Sequence, residues 1–133
     1  MRKLLLISLF ILFGATGLSA EVPSGVYQTA PGDSGGWLHV RIASCANDTS
    51  KSCGQIIQAF SEDGSVSAGY EHLGKAIVWG MEDKGNGRWG GGKIWAPDRD
   101  KVYSSKMRLE GNQLIVEGCV AFICRAQTWT KLP

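Results

Sequence analysis

The sequence predicts an all-β domain: a single antiparallel up-and-down β-barrel of about eight strands with little helix. Three observations lead there. Short alternating segments recur roughly every ten residues with turn residues between them. No stretch sustains a 3.6-residue period long enough for a stable helix. Glycine is abundant, at 18 of 133 residues, as expected of a chain that turns often. When every neighbour is joined by a short connection, closing the sheet removes its exposed edges.

Met1–Ala20 stands apart. Arg2 and Lys3 form a basic start, Leu4–Phe13 is apolar except for Ser8, and Gly14–Ala20 is small and mildly polar. This is the pattern of a cleaved secretory signal. Its apolar core is about half the roughly 20 residues needed to span a bilayer, so no membrane span is expected after cleavage. Residues 21–133 then form one barrel domain in the periplasm or outside the cell. The excess of 14 basic over 12 acidic side chains disappears with Arg2 and Lys3. A neutral mature chain gives no electrostatic reason for a nucleic-acid partner.

The four cysteines fit an oxidising compartment. They fall into two local couples, Cys45–Cys53 and Cys119–Cys124, each bracketing a turn. Of three connectivities the local one is favoured, each bridge contributing about 2–3 kcal/mol. Zinc knuckles need tighter spacings and usually histidine, and only His39 and His72 are present, so neither a metal nor a cofactor is expected.

The elements follow in order. Val22–Thr29 is extended and Pro31–Gly36 is a turn cluster. Trp37–Ala43 alternates, with Leu38, Val40 and Ile42 on one face and Trp37, His39 and Arg41 on the other. A polar loop lies between Cys45 and Cys53, and Gly54–Phe60 is a strand with Ile56 and Ile57 on opposite faces. Ser61–Gly74 is poorly patterned, with at most one helical turn around Tyr70–Leu73. Ala76–Met81 places Ile77, Trp79 and Met81 in phase, and Glu82–Gly87 is a turn. Strands then follow at Arg88–Trp95, Lys101–Leu109, Gln113–Cys119 and Cys124–Lys131.

Several motifs invite chemistry that their context does not support. Gly32-Asp-Ser-Gly-Gly36 matches a serine-protease nucleophile motif, but no histidine precedes it in the mature chain. Gly85-Asn-Gly-Arg-Trp-Gly90 fits a dinucleotide-binding pattern, yet Gly91 and Gly92 follow where a helix must begin. Asp98 and Asp100 after Pro97 are turn residues. Spacing brings neither histidine to a nucleophile, and the cysteines are expected to be paired. No catalytic constellation is found, and the chain is not expected to be an enzyme.

Trp89–Tyr103 organises the rest. In a regular strand Trp89, Lys93 and Trp95 share a face, with Ile94 opposite. A bulge at Gly90–Gly92 would instead put Trp89 with Ile94 and leave Trp95 with Lys93. Both arrangements remain open from sequence.

The motif Trp89-x-x-Gly92-x-Ile94-Trp95-x-Pro97 with Tyr103-Ser104 resembles small exported bacterial proteins of domain-of-unknown-function family 2147. Cys53-Gly54-x-Ile56, Gly74 ahead of Ile77, Gly118-Cys119, and Cys124-Arg125-x-Gln127-Thr128-Trp129-Thr130 extend the resemblance over Gly25–Lys131. It implies a lipocalin-like barrel and no assigned reaction. Gly25-Val26-Tyr27 stands where such proteins tend to have Gly-x-Trp, and Lys131 where they have arginine. In lipocalins that arginine packs over the first aromatic at the closed end, and lysine over tyrosine keeps only part of the stacking.

Five tryptophans and three tyrosines exceed what turns require. The expected function is binding of a small apolar or amphipathic ligand, with Trp37, Trp79, Trp89, Trp95 and Tyr103 as candidate ligand contacts. The alternative is a filled barrel that interacts with an envelope protein partner.

Overall fold

The computed structural model describes residues 20–133; of the signal segment Met1–Ala20, all but Ala20 lies outside the described residues. The order is β1 (Gly25–Gln28), β2 (Trp37–Ser44), β3 (Lys51–Phe60), β4 (Ala76–Gly85), β5 (Arg88–Ala96), β6 (Lys101–Glu110), β7 (Gln113–Val120) and β8 (Ile123–Lys131). Each strand pairs antiparallel with the next, and β1 pairs with β8 through Tyr27–Lys131 and Gln28–Thr130, so the sheet closes as a barrel.

Turn chemistry sets the hairpins. Asn86 and Gly87 both have positive φ, 56° and 69°, the conformation of the type I′ turns that match strand twist. The turn therefore occupies two residues, and β4 runs on through Glu82–Gly85, where the sequence pattern suggested a longer turn. The strand β3 likewise begins at Lys51 rather than Gly54, so the β2–β3 connection is shorter than the span between its cysteines. β1 is confined to Gly25–Gln28, because Glu21–Ser24 folds across one barrel end. Ser61–Gly74 is a chain of hydrogen-bonded turns, Tyr70 N–H to Ser67 O at 3.1 Å and Leu73 N–H to Tyr70 O at 3.4 Å, none of them extended into a helix.

Glycine bulges decide which side chains enter the core. The β5–β6 register shifts between Trp89 and Gly92, where Gly91 has φ 70°. As a result Trp89 and Ile94 are buried on one face, while Lys93 is exposed. Gly80, with φ 67°, acts similarly in β4: Val78 and Met81 share the core and Trp79 turns outward opposite Lys93. The simple alternation that grouped Trp79 with Ile77 and Met81 fails twice, at Gly80 and at the β3–β4 register shift between Gly54 and Gln55, where Ile77 and Val78 are both buried. Gly92 has no room for a side chain, since a Cβ there would lie 2.6 Å from Met81 Sδ and from the Trp79 carbonyl oxygen.

The core is filled toward the end that carries the β2–β3, β4–β5 and β6–β7 connections. Trp129, Tyr27, Leu114, Val116, Val40 and Ile42 are buried there. Both local disulfides are formed, with Cα–Cα separations of 4.9 Å for Cys45–Cys53 and 4.1 Å for Cys119–Cys124. They lie at opposite ends of the barrel. Among the described residues, no helix is long and apolar enough to cross a membrane.

Candidate functional site

The opposite end of the barrel is hollow. A cavity of about 550 Å³ opens between the β1–β2, β3–β4, β5–β6 and β7–β8 connections, within the range typical of small-molecule sites. Its apolar wall is formed by Leu38, Ile77, Ile94, Trp95 and Tyr103, with Trp37 at the lip. The floor is the packed core beneath. Gly118 borders the cavity beside Ile94 and Tyr103.

Three of the five aromatic candidates therefore border the cavity: Trp37, Trp95 and Tyr103. Trp89 points inward but lies in the filled half, where its indole N–H donates to the Glu21 carbonyl at 2.8 Å. Trp79 lies on the outer wall because of the Gly80 bulge. Neither borders the cavity. Tyr70, which the unpatterned loop concealed, does. Burial, then the Asp98 and Glu71 carboxylates, pushes its phenol pKa up, so it faces the cavity as a neutral hydroxyl.

The lip is braced by polar contacts between loops. Asp98 Oδ2 accepts the Asp33 backbone N–H at 2.9 Å, tying the β5–β6 hairpin to the β1–β2 turn. Arg99 Nε lies 4.0 Å from Asp33 Oδ2. The Trp95 indole N–H donates to Asp100 Oδ1 at 2.9 Å, and His72 packs edge-on against Trp95 at 4.8 Å between centroids. Asp98 and Asp100 are thus engaged as loop braces. Gly32–Gly36 is a turn closed by Gly35 N–H to Gly32 O at 3.0 Å.

The two histidines are not brought together. His39 stands on the outer wall, 4.5 Å from the Phe60 ring centroid, with Nε2 3.2 Å from Gln28 Oε1. Burial lowers its pKa. His72 belongs to the β3–β4 connection, and neither borders the cavity.

Alternation along β8 contributes the polar side of the cavity. Trp129 is buried and points inward, so Gln127 and Arg125 follow on the same face, and both line the cavity. The Trp129 indole N–H donates to Gln127 Oε1 at 2.7 Å. Neither residue was singled out from sequence for a site, although the period-two relation to Trp129 carried the signal.

A second depression of about 320 Å³ lies on the outer wall, among Lys84, Arg88, Lys106 and Arg108. Carboxylates attend three of these cations: Glu82 at 3.0 Å from Lys84, Glu117 at 3.8 Å from Lys106, and Glu110 at 2.8 Å from Arg108. It is a set of surface ion pairs, not an open cationic groove.

With the geometry in place, comparison with known proteins is informative. The model of a family described as "uncharacterized protein conserved in bacteria (DUF2147)" matches residues 25–131. A solved structure of similar fold is protein HP1028 from Helicobacter pylori, described as belonging to the lipocalin family. It has a TM-score of 0.64 and 17% identity, covering 86% of this chain and 84% of that one. Among curated proteins, none matches the chain.

Proposed function

The chain belongs to the DUF2147 family of bacterial proteins and folds as a lipocalin-like barrel, and from this premise we propose that it is an exported binding protein for a small apolar or amphipathic molecule. The observation that supports this most directly is the 550 Å³ hollow at one end of an otherwise filled barrel. In this reading Trp37, Trp95 and Tyr103 contact the ligand, joined by Tyr70. Trp89 belongs to the floor, and Trp79 has no part. Export rests on the signal pattern of residues 1–20 and on two disulfides suited to an oxidising compartment, and it leads to the periplasm or the exterior.

The test is native mass spectrometry of the protein purified from its own host, combined with displacement of N-phenyl-1-naphthylamine, a neutral apolar fluorophore. A co-purified mass and saturable probe binding are expected. Absence of both overturns the proposal.

A second reading is supported by a separate observation. Val120, Phe122 and Ile123, at the β7–β8 tip, are 64%, 93% and 67% exposed, which suits docking on an apolar patch of an envelope protein. Crosslinking from position 122 in intact cells would trap one reproducible partner at native expression. A diffuse pattern of adducts would remove that reading.

A further inference from the structure

The donors on β8 say more about the ligand than the apolar wall does. Arg125 carries a guanidinium, which can only donate hydrogen bonds and stays charged at any working pH. It lines the cavity, is exposed, and has no hydrogen bond or ion pair among the described residues. Gln127 follows two residues, about 7 Å, further down the same face. Its orientation is settled by its neighbour. An indole N–H only donates, so the Gln127 atom 2.7 Å from Trp129 Nε1 must be the carbonyl oxygen. The amide NH₂ is left over, again a pure donor.

The cavity thus offers two donors in line on one strand and an apolar wall across from them. Two aspartates also border the cavity, each with a contact of its own. Asp98 accepts from the Asp33 backbone, and Asp33 faces Arg99. A neutral apolar guest would cover Arg125 and leave a charge without counter-ion or water, which is costly. A guest with a carboxylate would meet the guanidinium in a charge-assisted, two-pronged contact.

Resting on the binding proposal above, we infer that the cavity selects an organic acid. Its carboxylate sits against Arg125, with the Gln127 amide as second donor, and its apolar body lies against Ile77, Ile94, Trp95 and Tyr103. The acid is a compact aliphatic or aromatic one, because the packed core closes the barrel beneath Gln127.

The experiment compares matched pairs, octanoate with octanol and dodecanoate with dodecanol, each titrated against N-phenyl-1-naphthylamine bound to the exported, disulfide-bonded protein. Wild type is expected to hold the acids about ten- to a hundredfold more tightly than the alcohols, the size of a charged hydrogen-bonded contact. Arg125→Gln brings that ratio close to one and leaves alcohol affinity intact. Gln127→Glu keeps an oxygen for Trp129 and replaces the donor by a carboxylate, so it lowers acid affinity without unseating the tryptophan. Arg88→Gln removes a cation from the outer wall and leaves the ratio unchanged, which separates a local contact from net charge. Equal binding of acids and alcohols by wild type, or a preference that survives Arg125→Gln, overturns the inference while the binding proposal stands. If wild type binds neither the probe nor any of the four compounds, both fall.

Discussion

The two ends of this barrel are built on opposite rules. At the closed end, the polar tips of large side chains find partners within the chain: Tyr27 hydroxyl to Pro23 carbonyl at 2.9 Å, Trp89 to Glu21, Trp129 to Gln127. At the open end Trp95 is still tied to Asp100, but Phe122 is 93% exposed and Arg125 lines the cavity without a side-chain partner among the described residues. One cystine serves each end, yet Cys45 is buried while the Cys119–Cys124 bridge clamps an exposed tip. The difference teaches where stability and function are divided. The closed half holds the fold, and the open half is free to vary in what it meets.

Substitutions can break or sharpen that contrast. The largest effect is expected from Trp129→Ala, which empties the centre of the closed half. It should cost about 3–5 kcal/mol, read as a lowered urea midpoint. Next is Gly92→Ala. The new Cβ would press on the backbone carbonyl of Trp79, which cannot swing away as a side-chain tip can, and overpacking of this kind costs about 1–3 kcal/mol. At the open end the sign reverses. Ala121 holds φ 53° in the two-residue β7–β8 turn, a left-handed conformation that costs a residue with a Cβ about 1–2 kcal/mol. Ala121→Gly should therefore raise stability by roughly 1 kcal/mol, less the extra entropy glycine brings to the unfolded chain, read as a higher urea midpoint. Phe122→Ser should change stability by less than about 0.5 kcal/mol. A mouth substitution that destabilised as much as Trp129→Ala would show that the two halves are not separable.

Much of this division is legible in the sequence, and the failures are instructive. Period-two patterning places Leu38, Val40 and Ile42 inside and pairs the cysteines locally, because regular strands and short loops obey local rules. Trp79 shows where those rules end. One glycine in the left-handed region, Gly80, changes the phase, and nothing in the residue pattern marks it as different from a glycine in register. Gly91 did the same for Trp89, where a bulge was one of two arrangements the glycine run allowed, while Trp95, which that arrangement grouped with Lys93, borders the cavity. Tyr70 was invisible for another reason: its loop has no period, and it reaches the cavity through turns. Arg125 and Gln127 were within reach, since their phase follows from Trp129, but polar residues in a strand read by default as its wet face.

Asp83 carries a consequence of its own. Its carboxylate accepts the backbone N–H of Glu21 at 2.8 Å and that of Gly85 at 2.8 Å, and these two bonds, Glu21 first, hold its pKa below the usual carboxylate range. A carboxyl depressed in the folded state stabilises above its unfolded pKa and loses that contribution as pH falls through the folded value. Asp83→Asn should therefore lower stability at neutral pH and converge with wild type below about pH 4, flattening the acid limb, measured by thermal melts across pH. If the leader expected over residues 1–20 is cleaved after Ala20, the Glu21 nitrogen becomes an ammonium and the hydrogen bond an ion pair. Maturation would then fasten the closed end, and a chain carrying one extra residue before Glu21 should melt lower than the processed one; equal melting of the two would refute it. The leader, in that event, leaves behind a clasp.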